Sequence, residues 1–229
     1  MSSSGRFLSF FIIPAHVLAF ASGCISLAPE PREIALYVLH VPPCDEPERT
    51  DATTETPDVE NAQPEGASRP PQSAPSLWIV PTSARPGIHS TRITFAPDAF
   101  RRGHYQYASW AEPPAERFSF LLARRFECDP GFASTTTRAL PSDLVLYTEI
   151  VDLHHDTSTE PGRAIVRARA ELVGKDGASI ATRDFDRALE LQSYDARGAV
   201  EAMSRAVGEI LDEIVEWVRS SALSALGKG

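Results

Sequence analysis

The sequence has few cysteines, no concentrated positive charge and no apolar run long enough to cross a bilayer. Its 229 residues include only three cysteines, Cys24, Cys44 and Cys128, and these lack the paired spacing of a zinc site. Lysine and arginine total 22 against 31 aspartates and glutamates, and the net charge of −9 is not interrupted by a basic cluster. Such a chain would repel a nucleic-acid backbone, so we expect no nucleic-acid partner.

Sequence motifs of common enzyme classes are also missing. The chain has no G-x-x-x-x-G-K-[ST] phosphate loop, no G-x-S-x-G elbow and no H-E-x-x-H helix. The stretch Gly174-Lys-Asp-Gly177 is too short for a phosphate loop and is typical of a hairpin turn. We therefore expect no ATP hydrolysis by this chain.

One cluster of titratable residues remains, Asp152-Leu-His-His-Asp156. Its two imidazoles and two carboxylates could bind a metal or exchange protons. Adjacent residues of a strand point to opposite faces, so both histidines could serve one metal only if the strand has already ended. The following Thr-Ser-Thr-Glu-Pro-Gly stretch indicates that it has ended. The favoured interpretation is nevertheless a solvated loop, and we expect no catalytic residue, no metal and no cofactor.

The N-terminus predicts export. After Arg6, the apolar stretch Phe7–Ala21 is fifteen residues long, which is short for a transmembrane helix and typical of a signal peptide. The next residues, Ala21-Ser-Gly-Cys24, resemble a bacterial lipobox, although a leucine is usual where Ala21 stands. We expect residues 1–23 to be a lipoprotein signal peptide, Cys24 to carry the acyl chains, palmitate among them, and residues 24–33 to form a short tether.

Two alternatives for Cys24 stay open, a plain secretory signal that leaves an ordinary thiol and a cysteine in the core. Several acyl chains on one residue hold a protein at a membrane far better than a single chain. Ile25 follows the cysteine where an aspartate would favour retention in the inner membrane. By that analogy, we expect the protein at the periplasmic face of the outer membrane.

An acidic, proline-rich insertion interrupts the folded part of the chain. Residues 42–76 contain eight prolines and eight acidic residues, with Arg49 and Arg69 as the only basic ones. With almost no large apolar side chains, the segment cannot bury enough surface to offset the entropy of ordering it. We predict a disordered insertion that folding can do without.

The remaining pattern predicts strands and two helices in one α+β domain over residues 34–223. Residues 34–41 are almost continuously apolar and predict a strand buried on both faces. Short strands are expected over residues 77–80, 91–95 and 104–108, a longer one over 143–152, and a hairpin of residues 164–173 and 178–191. On the first hairpin arm Arg167, Arg169 and Glu171 share a face that is solvated or contacts a partner.

Both predicted helices have one apolar face. Pro113 and Pro114 open a helix to Glu127. Asp195 is a candidate N-cap for the final helix. We expect a two-layer sandwich, with a mixed sheet packed by these two helices. The apolar stripe of the final helix comprises Val200, Met203, Val207, Ile210, Leu211, Ile214, Trp217 and Val218.

The order of these elements resembles the ABC-type transport auxiliary lipoprotein family, which includes paraquat-inducible protein C-like lipoproteins. The residues that carry the resemblance are Leu36-Tyr-Val-Leu39, Trp110-Ala-Glu-Pro113, Asp143-Leu-Val-Leu146 and the closing helix Ala206–Trp217. The chain departs from the family at Pro114, where leucine is usual, and in the length of its insertion. We interpret Trp110 as a packing residue over the start of the first helix.

The resemblance implies a non-catalytic accessory of an ABC transporter that has an Mce-type periplasmic lipid-binding subunit. That subunit would be the partner, and homo-oligomers would be compatible with the same surfaces. The alternative is a generic scaffold lipoprotein for envelope assembly or secretion. In an oxidising compartment Cys44 and Cys128 could also pair, since each follows a predicted element.

Overall fold

The computed structural model of the protein describes residues 33–44, 74–137 and 142–226. These residues form a single α+β domain with one mixed sheet and two helices. The strands are β1 (Ala35–Tyr37), β2 (Ser76–Ile79), β3 (Ser83–Ala84), β4 (Arg92–Ala96), β5 (Gly103–Trp110), β6 (Ala133–Thr135), β7 (Leu144–Asp156), β8 (Arg163–Gly174) and β9 (Ser179–Glu190), and the helices are α1 (Pro114–Glu127) and α2 (Ala196–Leu226).

Strand β7 is the centre of the sheet because it has neighbours along both of its sides. On one side it pairs antiparallel with β8, which pairs in turn with β9. On the other side three short strands follow one another along β7 in parallel, namely β2, β3 and β4. Strand β6 extends the sheet beyond β2, while β5 and then β1 extend it beyond β4.

The long hairpin and helix α2 form the largest part of the core. The predicted turn is present, with Gly177 at a φ of +80° and the Gly174 N–H donating to the Ala178 carbonyl. Alternate residues of β8, from Ala164 to Leu172, are buried beneath α2. Burying such an apolar stripe supplies most of the favourable free energy of a packed helix.

Helix α2 follows the predicted stripe, and all eight of its apolar members are buried. The carboxylate of Asp195 accepts a hydrogen bond from the Gly198 N–H at 2.7 Å, which confirms it as the N-cap. A cap of this kind contributes about 1 kcal/mol to stability. On the exposed side, Arg187 of β9 pairs with Glu209 and Glu213 of the helix at 2.8 and 2.7 Å.

Helix α1 begins at Pro114, so the departure from the family pattern there does not disturb the helix. A proline in the first turn has no N–H to leave without a partner. Phe118, Leu122 and Phe126 are fully buried along one face. Trp110 is 3% exposed and belongs to the same core.

The prediction for residues 34–41 was wrong in part. The strand is only three residues long and lies at an edge of the sheet, paired with β5 alone among the described residues. Its residues are largely exposed, and only the chain that follows enters the core, through Leu39 and Val41. The continuous apolar run therefore contains two different structures, an exposed edge strand and a buried connection after it. Periodicity alone cannot distinguish such a run from one buried strand.

Other boundaries also differ from the prediction. The sequence pattern did not predict β3 and β6, because two- and three-residue strands carry almost no periodicity. Residues 45–73, most of the predicted insertion, lie outside the described residues. Its predicted ends belong to the fold, since Ser76 is the first residue of β2.

Candidate functional site

The cluster of residues 152–156 lies within strand β7, so the prediction that the strand has ended was wrong. The strand continues to Asp156 because β8 supplies a partner for every residue of the cluster and β4 joins on the other side. His154 and His155 therefore point to opposite faces of the sheet. The interpretation as a solvated loop was also wrong, since both histidines are buried.

His154 faces away from the helices and pairs with Asp152. Its Nδ1 donates to the Asp152 carboxylate at 2.8 Å. Burial alone would raise the pKa of Asp152, but the hydrogen bond from His154 and the charges of Arg102 and Arg167 hold the pKa below its ordinary value. The carboxylate is thus ionised and already engaged by a neighbour.

His155 lies on the helix side, between two aromatic rings. The Tyr105 hydroxyl and His155 Nδ1 are hydrogen-bonded at 2.7 Å, and the ring of Tyr194 meets His155 edge to face at 5.3 Å. Its Nε2 is buried without a hydrogen-bond partner among the described residues. Gly162 (φ +81°) passes so close to this ring that a side chain there would collide with it.

The electrostatics of this triad fit a packing role. Burial lowers the pKa of His155, against opposing effects of the Pro161 backbone and the Asp156 carboxylate. Burial raises the pKa of Tyr105 to about 12. Near neutral pH the imidazole is uncharged and the phenol keeps its proton, so neither group is tuned to exchange protons with a substrate. The sequence pattern did not connect Tyr105 and Tyr194 with His155. The three residues are far apart in sequence, since Tyr105 lies in β5, His155 in β7 and Tyr194 in the connection between β9 and α2.

No group of three histidine, cysteine, aspartate or glutamate side chains among residues 33–44, 74–137 and 142–226 is placed to hold a metal ion. Two imidazoles on opposite faces cannot share one metal.

Strand β1 presents a row of exposed apolar side chains. Leu36 of β1 and the flanking residues Ile34 and Val38 alternate along the chain and are 68%, 58% and 41% exposed. Tyr107 of β5 is 42% exposed, and the β1–β5 register, which pairs Ala35 with Ala108, places it next to Ile34 when continued by one residue. No strand of the described chain pairs with the outer side of β1, which is therefore an edge of the sheet among the described residues. We call these four residues the β1 row.

A cleft of about 600 Å³ opens on the sheet face that the helices leave uncovered. Its walls come from the loop after β3, from β4, from the start of β5 and from the middle of β7. Arg85, Arg92, Arg102 and His104 line it together with Asp152. No sequence pattern joins the three arginines, because Arg85 lies in the loop after β3, Arg92 in β4 and Arg102 directly before β5. We call it the arginine cleft.

Farther along the same face, the charges of the hairpin are paired across the strands. Arg167 pairs with Asp186 at 3.0 Å and Arg169 with Asp184 at 2.7 Å. These pairs are half exposed and contribute little to stability. They do, however, neutralise the charges of Arg167 and Arg169 on the hairpin face that the sequence predicts to be solvated or in contact with a partner.

Cys44 and Cys128 form a disulfide in the structure, with their Cα atoms 6.4 Å apart. The bond ties the chain that follows β1 to the end of α1. Cys24, the predicted lipidation site, lies outside the described residues. None of the helices in the described part of the chain is both long and apolar enough to span a membrane.

Comparison with known proteins identifies one matching family and a set of similar folds. The model of a family described as "ABC-type transport auxiliary lipoprotein component" matches residues 59–215. No curated protein matches the sequence. The crystal structure of protein XCC0632 from Xanthomonas campestris is similar with a TM-score of 0.63 and 24% identity, covering 70% of this chain and 92% of that one. An uncharacterised protein is similar at a TM-score of 0.56 and 15% identity, covering 63% and 92%.

Proposed function

The chain belongs to the ABC-type transport auxiliary lipoprotein component family, and from that premise we propose that it is a non-catalytic, lipid-anchored accessory of an Mce-linked lipid transporter. In this proposal it docks the Mce-type periplasmic subunit at the periplasmic face of the outer membrane. The transporter's other chains bind and hydrolyse ATP. Membership in a lipoprotein family indicates a location in the cell envelope, and the particular membrane is part of the proposal.

The β1 row is the observation that carries the docking role. Exposed apolar side chains on a strand whose outer side no other described strand covers offer both apolar contact area and backbone hydrogen bonds. Proteins usually protect such an edge with charges or prolines, because it invites pairing with another chain. Neither is present at residues 34–38. A partner's strand could add to the sheet here and cover the apolar row.

The position of the β1 row in the chain fits an anchor at Cys24. Residues 24–33 form the proposed tether, and the nine steps from Cys24 to Glu33 reach at most about 30 Å. An anchored domain would therefore hold the β1 row close to the membrane surface. A subunit that ends at this membrane would meet the row there.

The state of the titratable residues supports a role without catalysis. Asp152 is held by His154, and His155 is uncharged in an aromatic setting. Such a protein would act through the shape of its surface and through its anchor, rather than through a pair of groups poised for proton transfer.

Photo-cross-linking in intact cells tests the docking role. We would place a photoreactive phenylalanine analogue at Leu36 and, as a control, at Phe120, an exposed aromatic residue of α1. The proposal predicts capture of an Mce-type subunit from Leu36 but not from Phe120. With the analogue at Ile34, another exposed residue of the β1 row, Leu36→Asp should abolish capture without unfolding the domain, because the Leu36 side chain is exposed.

Three results would contradict the proposal. Equal capture from both positions would indicate non-specific contact. Cross-links that join only two copies of this chain would make the β1 row a self-association surface. Capture of secretion or assembly proteins alone would favour the alternative scaffold function.

A further inference from the structure

The arginine cleft concentrates positive side chains on a protein whose net charge is negative. The chain carries a net charge of −9, yet three guanidinium groups and only one carboxylate, that of Asp152, line one concave site. Local charge of this kind concentrates ligands of the opposite sign even when the whole protein has the same sign as the ligand. The cleft is therefore a place where an anion is favoured on an otherwise acidic protein.

Two of these arginines have no carboxylate partner among the described residues. Arg102 donates through its Nη1 to the backbone carbonyls of Asp98 and Arg101, at 3.2 and 3.1 Å. The Arg92 backbone N–H donates to the Ser90 hydroxyl, and its guanidinium makes no hydrogen bond or ion pair to the described residues. By contrast, the arginines of the hairpin on the same face are paired with aspartates. The cations of the cleft thus retain donors for a ligand.

The carboxylates near the cleft neutralise it only in part. Asp152 accepts a hydrogen bond from His154, and its charge also interacts with that of Arg102. Glu149 lies 3.7 Å from Arg85, which is a loose ion pair between side chains 34% and 53% exposed. Exposed pairs at such distances are weak and exchange readily with other anions. An incoming anion would compete with this loose contact and with the attraction between Arg102 and Asp152.

Guanidinium groups match phosphate better than other common anions, because their planar donors can bind two phosphate oxygens at once. The cleft also has apolar walls, which include Ile88 and Val151, both half-buried. A site with cations at its centre and apolar walls fits a phosphate ester that carries an organic group. It is too open and too apolar at its walls to select for a bare ion.

We propose that the arginine cleft binds phosphate esters, with Arg92 and Arg102 as the principal ligands of the phosphate group. The ester can come from a phospholipid headgroup or from a free sugar or polyol phosphate. This inference goes beyond the proposed docking function and does not depend on it. An experiment can therefore refute the binding of phosphate esters by the cleft without refuting the docking role of the β1 row, and the reverse.

Titration calorimetry on the full-length protein in a non-ionic detergent tests the binding. The probes are glycerol 3-phosphate, inorganic phosphate and, as the uncharged control, glycerol. We expect glycerol 3-phosphate to bind more tightly than inorganic phosphate, and glycerol not to bind. Arg92→Gln and Arg102→Gln should each weaken binding about tenfold, the usual effect of losing one hydrogen bond to a charged group.

Arg101→Gln is the matched control, since it removes the same charge from the neighbouring residue. Arg101 pairs with Asp98 and does not line the cleft. Equal weakening by Arg101→Gln and Arg102→Gln would overturn the proposal, because the attraction would then be diffuse. Absence of binding by both phosphates would overturn it as well, and so would a preference for a glutamate-rich peptide over both of them.

Detergent micelles containing phosphatidylglycerol or phosphatidylcholine distinguish the two sources of the ester. If phosphatidylglycerol micelles displace glycerol 3-phosphate and phosphatidylcholine micelles do not, the headgroup of an anionic lipid is the ligand. If neither displaces it, the cleft binds a free phosphate ester. In both cases Leu36 cross-linking should be the same in Arg102→Gln as in the wild type, which separates this test from that of the docking role.

Discussion

The disulfide between Cys44 and Cys128 gives the most quantitative prediction for the fold. It closes a loop of 84 residues that contains the insertion, strands β2 to β5 and α1. A bond across a loop of that length reduces the entropy of the unfolded chain, and the chain-entropy relation gives about 4.5 kcal/mol at 25 °C. We expect Cys128→Ser to lower the free energy of unfolding by an amount approaching this value.

Equilibrium urea unfolding measures the effect, with wild type and Cys128→Ser each examined with and without reductant. Wild type should lose stability on reduction, while the variant should not change. Thiol labelling of the denatured, unreduced wild type should find Cys44 and Cys128 blocked. A loss below about 1 kcal/mol, far under the range for native disulfides, would refute the reasoning. Free thiols in the unreduced protein would refute the pairing itself.

Three further predictions concern the anchor, the insertion and the buried histidine. Cys24→Ala should release the protein from membranes into the soluble periplasmic fraction, and unchanged fractionation would contradict lipidation at this residue. Replacing residues 46–72 with a short Gly-Ser linker should leave stability nearly unchanged, since loop closure varies by only about 0.6 kcal/mol per doubling of length, whereas a loss of several kcal/mol would show that the segment packs on the core. Because burial lowers the folded-state pKa of His155 below its unfolded value, its contribution is complete above about pH 6.5 and is lost as the pH falls. The free energy of unfolding from urea titrations should decline from pH 7 to 5, by at most about 1.4 kcal/mol per pH unit for one proton, and His155→Gln should flatten this decline.

The long elements could be predicted from sequence because their pattern repeats over many residues. The stripe of α2 covers about five turns, and the hairpin turn at Gly174–Gly177 has the residues that its backbone needs. Residues 34–41 were harder, because their burial depends on which strand lies at the edge of the sheet. Short strands such as β3 are formed by pairing with β7, and no local signal indicates them.

The candidate sites depended even more on tertiary structure. His154 and His155 looked like one cluster in sequence, but pairing with β8 extended the strand and separated them. Arg92 and Arg102 looked unrelated, yet β4 and β5 place them in one cleft. The exposure of Leu36 could not be inferred, since an apolar residue in a strand is usually taken to be buried.

The proposed function is tested most directly by purifying the tagged, wild-type protein from envelopes in a mild detergent and quantifying its partners by mass spectrometry. We expect a transporter ATPase, its permease and an Mce-type subunit to copurify with it, and Leu36→Asp to lose all three while keeping its membrane anchor. Purification of the wild-type protein without any of these three subunits, or equal recovery with Leu36→Asp, would contradict the proposed function.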